Sequence, residues 1–530
     1  MVDLQRLTSL ARAGKLNRRE FIVGAITAGV TATLADTMFS EIARAEPKRG
    51  GTFRLATPHG STTDSLDPGL YVDTMIQLVG WGSLSNSLTV VDAKGNITPD
   101  LAESFEPSDG AKKWMFKLRK GSTFHNGKDV TADDIVASFK HHTKKDTKSA
   151  AKSLVEAIAD IKADDKMTVV FTLKDANADF PYIASDYHIP ILPAKANGEA
   201  DWESGIRTGP YTLDKIQYGV RADLKRNPNY FHNGKPYFDA VQIITIADTA
   251  ARVNALISGQ VDHAIRPDLK TLDQLKKNKN IKVNEVTGYG HYTFPMLMDV
   301  APFDNPDVRM ALKLAMNRDE IVKKIFLGHG AVGNDNPIAP TVKYATNPAP
   351  IHKYDPEKAK SLLKKAGMAN LKVDLHLSDA AFNGCVDAGL LYKASAAKAG
   401  IDINVVREPS DAYWDNVWLK KPFVASYWSG RPTCDWMFTT VYAKSASWNE
   451  THWANPRFNE LLVQARGETD DKKRAGMYAE MQQLTHDECG EIVIVFNNYV
   501  EAQNKKLAHG DIAPNWEVDG LRITERWWFA

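Results

Sequence analysis

Short apolar segments with the alternation of a strand are followed, along most of the chain, by longer segments with helical spacing. Residues 51–56 come directly after a glycine and have the composition of a strand. Residues 114–119 alternate rings or aliphatic side chains with cations, as a half-buried strand does. Residues 491–496 form an apolar run typical of a buried strand. The alternation of the two kinds of segment favours an α/β or α+β architecture.

Several helix starts are marked by residues that cap a helix. Thr131 and Asp134 have the spacing of a capping box and predict a helix through Phe139. Three further helices are predicted where a capping side chain precedes proline at the first helical position, at Asn305-Pro306, Asp355-Pro356 and Asn455-Pro456. The first of these is expected to run to Phe326 and stop at Gly328, and the second to end at Gly367.

The sequence lacks most motifs of common cofactor and catalytic sites. The one motif that it contains is not flanked by the secondary structure that its function needs. Residues 328–333 match the glycine spacing of a dinucleotide-binding loop, but a helix precedes them where that motif needs a strand, so they predict a loop. His141 and His142 fall on a helix face that is expected to meet water. The sequence has neither an HExxH nor a GxSxG motif. It therefore predicts a protein that is not an enzyme and carries no cofactor or metal.

The amino terminus has the layout of an export signal. Arg18 and Arg19 precede an apolar run over residues 21–34, which is 14 residues long. That run is shorter than the roughly 20 residues needed to span a bilayer. Ala43 and Ala45 have the spacing of a cleavage site. The segment resembles a bacterial twin-arginine signal, which implies a soluble periplasmic protein that begins at residue 46. The alternative is an amphipathic helix that merely contains two arginines.

Composition narrows the class of protein further. The 530 residues carry 66 basic and 65 acidic side chains, a formal charge of +1, whereas a nucleic-acid binder usually shows a basic excess. The length suggests roughly three to five domain-sized units. Cys385, Cys434 and Cys489 have no CxxC spacing, so the sequence allows one disulfide and argues against an iron–sulfur site.

Aromatic side chains are concentrated between residues 413 and 453. The cluster comprises Tyr413, Trp414, Trp418, Tyr427, Trp428, Trp448 and Trp453. A loop in its middle carries a cation, Arg431, and a carboxylate, Asp435. Rings around a charged loop would suit the wall of a cleft for an organic ligand. A tryptophan-rich core with one surface ion pair is the alternative interpretation.

Several segments, in order, resemble the peptide/nickel family of periplasmic solute-binding proteins, which serve ABC importers. The similar segments are residues 50–55, 66–68, 99–104, 116–121, 124–128, 131–134, 208–211, 226–230 and 302–318. Together they span most of residues 50–530. The resemblance implies a monomer that binds a small organic or peptide-like solute and passes it to an inner-membrane ABC permease.

The resemblance also implies an α/β fold, a two-lobed clamshell with an extra inserted domain and two interlobe crossings. On this basis residues 1–45 are the cleaved export signal. Residues 46–92, 215–302 and 505–530 form lobe I, residues 93–214 form the inserted domain, and residues 303–504 form lobe II.

Two charged positions depart from the pattern of the family's dipeptide binders. Those proteins pair the ligand ammonium with an Asp three residues after a Trp, and here that position is Arg431, after Trp428. They bind the ligand carboxylate with an Arg, and here that position is Ala380. An arginine facing an ammonium would leave charge unpaired, so a zwitterionic dipeptide is disfavoured. Arg431 suits a carboxylate, a phosphate or a polar hydroxyl ligand, and Asp435 is expected to hold Arg431 or bind a ligand cation.

The resemblance and the aromatic clusters give a set of candidate ligand-binding residues: Tyr71, Phe382, Asn383, Tyr413, Trp414, Trp428, Arg431, Asp435 and Trp448. Three alternatives stay open. They are a true oligopeptide binder, a hydrolase or oxidoreductase exported by the twin-arginine route, and a carrier of haem or a metal chelate. The last has His125, His291, His329 and His452 available, but these are not clustered in the sequence.

Overall fold

The computed structural model describes residues 4–12, 16–32, 34–35, 38–39 and 47–530. The predicted cleavage site, Ala43 to Ala45, lies outside these residues. The predicted signal contains the helices Leu4–Arg12 and Arg18–Thr27, and Asn17 and Glu20 form a capping box at the start of the second. Among the described residues, no helix combines the length and the apolar character needed to cross a membrane.

The strands of the described residues are numbered here in chain order. They are β1 (Thr52–Thr57), β2 (Thr89–Val91), β3 (Ile97–Pro99), β4 (Ala102–Ser108), β5 (Lys113–Leu118), β6 (Ile158–Asp165), β7 (Thr168–Leu173), β8 (Tyr211–Gln217), β9 (Arg221–Arg226), β10 (Ala240–Thr245), β11 (His263–Ile265), β12 (Ile281–Pro295), β13 (Gly330–Val332), β14 (Lys372–Leu377), β15 (Asp402–Arg407), β16 (Ser426–Trp428), β17 (Glu491–Asn504), β18 (Leu507–Ala508) and β19 (Trp528–Phe529). The predicted strands at residues 51–56, 114–119 and 491–496 correspond to β1, β5 and the start of β17.

Helices alternate with these strands. The helices after the predicted signal are Thr74–Gln77, Ala132–His141, Lys152–Val155, Phe180–Ile183, Thr249–Ile257, Leu272–Lys277, Pro306–Ala315, Arg318–Lys324, Pro356–Lys365, Cys385–Ala396, Tyr413–Asn416, Cys434–Val441, Pro456–Gly467, Asp471–Glu488, Glu517–Gly520 and Ile523–Arg526. A π-helical turn, Leu78–Ser83, continues the first of them, and short 3-10 turns occupy Pro68–Leu70, Leu269–Thr271 and Ala397–Ala399.

The strands form one large mixed sheet and several small ones. The large sheet has the order β16-β12-β17-β11-β1-β10-β9-β8, with β13 also paired to β17. Strand β1 is parallel to β10 and β11, and the other pairs in this sheet are antiparallel. A four-stranded sheet, β4-β5-β7-β6, falls within the predicted inserted domain, and β14-β15 is a parallel pair. The mixed α/β architecture is the one predicted; the exact domain boundaries remain predictions.

Two long strands, β12 and β17, pass from one half of the large sheet to the other. Residues 281–287 of β12 pair with residues 498–504 of β17 beside β11, and residues 291–295 pair with 491–496 beside β16 and β13. The pairing is interrupted between Thr287 and His291. Gly288 and Gly290 lie there against the Tyr499 ring, where an added Cβ would collide with it. The pair of strands therefore forms a ribbon shared by the two predicted lobes.

The predicted helix starts are present, and one predicted helix is divided. Thr131 and Asp134 form the capping box, and Asn305, Asp355 and Asn455 each cap a helix that begins with proline. The single helix predicted from residue 306 to Phe326 is wrong. Met316 is extended and ends the first helix, and Asn317 caps a second one, Arg318–Lys324.

Two other local predictions are also wrong. Residues 330–332 of the predicted loop form the short strand β13, because their backbone pairs with β17. His142 is buried and bonds the Ser149 hydroxyl, and His141 lies 2.8 Å from an Asp67 carboxylate oxygen instead of facing water. A neighbouring segment covers this helix face, and the helix's own sequence gives no sign of that segment.

All three cysteines are free thiols. Cys385, Cys434 and Cys489 are each at most 2% exposed. Burial raises the pKa of Cys489 to about 12, so this thiol is protonated at neutral pH. The disulfide that the sequence allowed is not formed.

Candidate functional site

A small cavity, partly open to solvent, lies between the two predicted lobes. Helical and loop residues before position 190 form one side, and β16 with the segments around it forms the other. The lining residues are Val72, Gln77, Tyr187, Trp414, Trp418, Tyr427, Trp428, Ser429, Arg431 and Trp448. We call this space the tryptophan cavity.

The tryptophan rings of this cavity support one another. Trp418 lies with its ring centre 6.1 Å from that of Trp428 and 5.5 Å from that of Trp448. The Glu450 carboxyl group accepts hydrogen bonds from the indole N–H groups of Trp418 and Trp428, at 2.5 and 2.7 Å. Burial raises the pKa of Glu450, which these donors partly counteract. Because both indoles are held by one group, they form a rigid apolar wall.

Arg431 brings a buried cation to this wall. The residue is 3% exposed, and its guanidinium carbon lies between 5.4 and 5.7 Å from the ring centres of Tyr187, Trp436 and Trp516. Nη1 donates to the Gly430 carbonyl, whereas Nε and Nη2 make no hydrogen bond to a described residue. Two buried nitrogens of the guanidinium, with three N–H groups between them, are therefore available to a further acceptor.

The nearest carboxylate to Arg431 is already engaged elsewhere. Asp186 Oδ2 lies 3.8 Å from Arg431 Nε, beyond hydrogen-bond length, and accepts from Trp436 Nε1 at 2.9 Å. Asp186 Oδ1 lies 2.7 Å from His188 Nδ1. Burial opposes ionisation of Asp186, but His188 and Arg431 outweigh it and lower its pKa to about 2. The Arg431 charge is thus balanced at a distance, while its donors stay available.

The expectation that Asp435 holds Arg431 is wrong. Asp435 accepts a hydrogen bond from Arg466 Nε at 2.6 Å and lies within 3.4 Å of the Thr439 hydroxyl. The spacing of one helical turn does not apply, because Arg431 precedes Thr433, the N-cap of the helix Cys434–Val441. Only Asp435 lies on the helix, and its side chain faces the neighbouring helix Pro456–Gly467.

A second small cavity, also partly open to solvent, lies beside the β12–β17 ribbon. Its lining residues are Arg266, Pro267, Leu269, Tyr292, Phe326, His329, Asn383, Asn497, Asn498, Val500 and Glu517. We call it the hinge cavity. The Arg266 guanidinium stands 4.6 Å from the ring centre of Tyr427, which lines the tryptophan cavity. The two cavities are therefore neighbours on either side of this ring.

Arg266 is held by a full ion pair. Its Nε and Nη2 donate to the two Glu517 oxygens at 2.7 and 2.8 Å, and the Arg266 carbonyl accepts from Asn383 Nδ2 at 2.6 Å. Burial alone would lower the pKa of Arg266, but the Glu517 carboxylate raises it above its ordinary value. Arg266 Nη1 and the Asn497 side-chain oxygen are buried without a partner among the described residues.

The structure distributes the nine candidate residues over several places. Trp414, Trp428, Arg431 and Trp448 line the tryptophan cavity, and Asn383 lines the hinge cavity. The other four, Tyr71, Phe382, Tyr413 and Asp435, line neither cavity. Tyr71 and Tyr413 bond the backbone carbonyls of Leu66 and Ala425, and Phe382 stacks under Tyr292 at 4.4 Å.

Several residues of the two cavities and their supports were not identified from the sequence. Arg266 and Glu517 are 251 positions apart, and Glu450, which accepts a hydrogen bond from Trp418, lies 32 positions from it. Tyr187 and Gln77 fall in segments with no repeated pattern. Their partners are brought together by the tertiary fold, so no local spacing could have identified them.

Four aspartates, Asp64, Asp73, Asp411 and Asp415, lie close enough to one another to interact electrostatically. Burial, with the neighbouring charges of Asp73, Asp415 and Asp411, raises the pKa of Asp64 to about 8. Burial and the same two distant carboxylates raise the pKa of Asp73 to about 7. Thr63 donates a hydrogen bond to Asp415 here. This aspartate rim therefore joins residues 63–73 to residues 411–415.

One group of possible metal ligands lies away from both cavities. His352, His486 and Asp487 place ligand atoms within 4.8 Å of one another in the described part of the chain. The two imidazole rings are stacked, with centres 3.7 Å apart and planes 18° apart. Ring-nitrogen lone pairs lie in the ring plane, so stacked rings do not direct them at one ion. The arrangement is that of a packing contact.

Comparisons with known proteins agree on one family. The sequence profile of bacterial extracellular solute-binding proteins, family 5, matches residues 96–450. A glutathione-binding protein, GsiB, from Escherichia coli O6:K15:H31 is 28% identical over 471 residues, covering 86% of this chain and 91% of that protein. The dipeptide-binding protein of Escherichia coli K12 is 27% identical and covers 78% of this chain and 83% of its own length.

Solved structures of similar fold include complexes with several kinds of ligand. The periplasmic binding protein DppA from Helicobacter pylori, with the peptide STSA, superposes with a TM-score of 0.82 at 23% identity, covering 91% of this chain and 99% of its own. MoaA from A. tumefaciens R10, with mannopinic acid, has a TM-score of 0.79 at 25% identity and the same two coverages. The predicted two-lobed fold is confirmed by these matches.

Proposed function

The chain belongs to family 5 of the bacterial extracellular solute-binding proteins, the substrate-binding components of ABC importers, and we propose that its ligand carries a carboxylate or a similar anionic group. The proposal places that group against Arg431 in the tryptophan cavity. It names the ligand by its charge and leaves the rest of the molecule to be identified.

The buried, incompletely bonded Arg431 guanidinium is the observation that carries this proposal. Two of its nitrogens and the Trp414 indole N–H are buried without a partner among the described residues, and both side chains line the tryptophan cavity. An unpaired buried donor costs free energy, and a charged one costs more. A carboxylate would accept from the guanidinium and offset that cost. A ligand ammonium would instead place a second cation beside Arg431 and would leave its N–H donors without an acceptor.

Closure of the two lobes gives the transporter its signal. The tryptophan cavity combines Tyr187 and Gln77 from one side with Trp428 and Arg431 from the other. A ligand that bonds to both sides does so only in the closed form, so it shifts the open–closed equilibrium towards closure. Membership of a binding-protein family supports a role in capture and delivery, with no chemical turnover of the solute.

The family relatives narrow the solute class. Relatives are named for glutathione and dipeptides, and similar structures hold peptides and mannopinic acid. Arg431 at the position of the ammonium-binding Asp favours peptide-like or opine-like anions over simple dipeptides.

Calorimetry tests the ligand proposal. Native mass spectrometry of the purified protein identifies a retained solute, and a panel of glutathione, mannopinic acid, glutamate and Met-Leu covers the candidate classes. We expect one anionic compound to bind, with a smaller radius of gyration and a change of tryptophan fluorescence on closure. Arg457, which is exposed and lines neither cavity, gives the control variant Arg457→Ala. Tight Met-Leu binding that Arg431→Ala leaves unchanged would refute the proposal.

We further propose that residues 1–45 export the chain to the periplasm through the twin-arginine machinery and that the mature protein is a monomer. The Arg18-Arg19 pair before an apolar run supports the route. The double variant Arg18→Lys, Arg19→Lys is expected to leave full-length precursor in the cytoplasm. Normal periplasmic accumulation of that variant would contradict the assignment.

A further inference from the structure

We infer that Glu450 and Glu491 share one proton, which Glu491 carries, and that this acid pair positions the wall formed by the indoles of Trp418 and Trp428. Neither glutamate lines the tryptophan cavity, so both act on a solute through the two indoles. The inference concerns the wall and not the charge of the ligand. It rests on the proposed function only in taking the tryptophan cavity as the binding site.

The two carboxyl groups of the acid pair meet in the core behind the wall. Glu450 and Glu491 are 3% and 1% exposed, and their side chains are hydrogen-bonded to each other. Two ionised carboxylates are acceptors only, so a hydrogen bond between them requires a proton on one of them. Two like charges at such close range in a buried place also oppose the ionisation of both groups. The pair therefore holds one proton.

The other hydrogen-bond partners assign this proton to Glu491. The two Glu450 oxygens each face the N–H of an indole, a group that only donates, at 2.5 and 2.7 Å, the short lengths of bonds to a charged acceptor. Glu491 Oε2 accepts from the Tyr442 hydroxyl, whereas its Oε1 has no partner among the described residues. A proton on Oε1 gives this orphaned atom a bond to donate to Glu450.

The electrostatic surroundings favour the same assignment. Burial and then the charge of Glu450 raise the pKa of Glu491 well above its ordinary value. Burial also raises the pKa of Glu450, but the indole donors oppose that rise. The titratable and charged groups facing the pair from the neighbouring elements are Tyr413, Tyr442, Cys489, Lys313 and, beside Cys489, Arg309. Burial raises the pKa of the first three, which keeps them neutral, and Lys313 supplies a positive charge near the single negative one.

The proton makes the geometry of the wall dependent on pH. When Glu491 loses it, Glu450 loses a donor and gains a like charge beside the carboxylate that holds both indoles. A group whose pKa is raised on folding makes its contribution at low pH, and that contribution is lost as the pH rises through the raised pKa. The wall is therefore expected to be ordered at low and neutral pH and to loosen in alkaline solution.

Two amide variants test the assignment. Glu491→Gln offers an amide N–H to Glu450 and an oxygen to Tyr442, so it is expected to keep the tryptophan fluorescence and near-ultraviolet circular dichroism of the wild type. Glu450→Gln turns an amide N–H towards an indole N–H, and it is expected to change both signals. It should also weaken binding of glutathione or mannopinic acid, whichever binds, about tenfold, the worth of one hydrogen bond to a charged group. Glu106→Gln, at an exposed position, is the control.

Infrared spectroscopy of the unliganded protein detects the proton itself. The spectrum of the wild type minus that of Glu491→Gln, at about pH 7, is expected to contain the carbonyl stretch of a protonated carboxyl group. An ordinary glutamate is ionised at this pH, so Glu106→Gln should remove only carboxylate bands. The tryptophan fluorescence of the wild type is expected to change between about pH 5 and about pH 9, and that of Glu491→Gln to stay constant. A glutamate with a purely structural role would move neither signal.

Each contrary outcome overturns a stated part of the inference. Absence of the protonated carboxyl band, or a wild-type tryptophan signal that is constant over the pH range, would show that no proton is shared; the second measurement needs no variant. If Glu491→Gln disturbs the tryptophan signals and Glu450→Gln does not, the proton belongs to Glu450. All of these measurements are made without a ligand, so they are independent of Arg431→Ala, which tests the proposed function. Thermal unfolding establishes that each variant is folded.

Discussion

Two buried arginines lie a few side chains apart at the interface of the lobes, and their surroundings differ. Arg266 donates two short hydrogen bonds to Glu517 and sits in a completed ion pair. Arg431 has its nearest carboxylate, that of Asp186, 3.8 Å from Nε, and aromatic rings surround it. The first arginine is part of the structure that holds the site together, and the second is available to a ligand.

The comparison shows how a binding residue differs from a structural one of the same type. Burial is similar for both, and neither charge is exposed to solvent. The difference is the number of donors already in use. Asp186 is held by His188 and Trp436, so it can balance the Arg431 charge without occupying the guanidinium. A ligand acceptor can then bond to Arg431 without displacing a protein group.

The largest expected contrast is in stability. Arg266→Ala leaves the Glu517 carboxylate buried without its partner and is expected to lower the free energy of unfolding by about 3–5 kcal/mol. Arg431→Ala in the unliganded protein is expected to cost much less, because Asp186 keeps its other donors. Urea denaturation of both variants measures the difference. Equal losses would show that Arg431 is a structural ion-pair member too.

A paired variant sharpens that result. Arg266→Met with Glu517→Gln removes both charges while keeping most of the volume. It is expected to lose less stability than Arg266→Ala alone, because no charge stays buried and unpaired. If the double variant is as unstable as the single one, packing and not charge explains the loss.

The next contrast is in ligand binding. Arg431→Ala is expected to weaken binding of an anionic ligand by about 2–5 kcal/mol, the cost of removing one member of a buried charged pair. Titration calorimetry with the retained solute measures it, and Arg457→Ala is the exposed control. An unchanged affinity would show that the anionic group of the ligand does not bind at Arg431.

A smaller effect is expected at the aromatic wall. Trp428→Ala removes apolar surface and is expected to weaken binding by about 1–3 kcal/mol whatever the charge of the ligand. Trp428→Phe keeps a ring but loses the hydrogen bond to Glu450, so it is expected to weaken binding less. Calorimetry on both variants compares the two contributions. If Trp428→Phe loses more affinity than Trp428→Ala, the hydrogen bond to Glu450 contributes more to binding than the apolar surface does.

The smallest effect concerns pH at the aspartate rim. The pKa of Asp64 is raised to about 8 from 3.8, and that of Asp73 to about 7. A carboxyl group whose pKa is raised on folding makes its full contribution to folding stability below about pH 4. That contribution is lost as the pH rises through about 8. Burial lowers the pKa of the neighbouring His59 to about 3, so this ring stays neutral over that range.

Asp64→Asn is therefore expected to reduce the loss of folding stability that accompanies rising pH. Its free energy of unfolding should fall between pH 5 and pH 8 by about 1 kcal/mol less than that of the wild type, allowing for solvent screening at this partly exposed group. Urea denaturation at the two pH values measures it. Asp160→Asn, at an exposed carboxylate, is the control. If the free energies of unfolding of Asp64→Asn and wild type change equally with pH, groups other than Asp64 are responsible for the pH sensitivity.

Local chemistry accounts for the parts of the fold that could be predicted from the sequence. Proline after a capping Asn or Asp marked the helices at Pro306, Pro356 and Pro456, because that pairing acts within one turn of the chain. The strand β13 could not be predicted in this way, because its backbone pairs with the distant strand β17. The break at Met316 has a local mark, the capping residue Asn317, which the prediction of one continuous helix overlooked.

The candidate site could be predicted from the sequence less completely than the fold. Trp414, Trp428, Arg431 and Trp448 stand close together in the sequence and line one cavity. Asp435 was assigned to that cavity by counting residues along a helix that begins after Arg431. Charge pairing depends on distances in three dimensions, and 251 positions of chain separate Arg266 from Glu517.

The burial of every cysteine makes this chain convenient for building a reagentless fluorescent sensor. Cys385, Cys434 and Cys489 are buried in the core, so a maleimide dye is not expected to react with them. A single new thiol on the aspartate rim, as in Asp411→Cys at an exposed position, would then carry the dye alone. Because the rim joins residues 63–73 of predicted lobe I to residues 411–415 of predicted lobe II, the emission of that dye is expected to follow each capture and release of solute in real time.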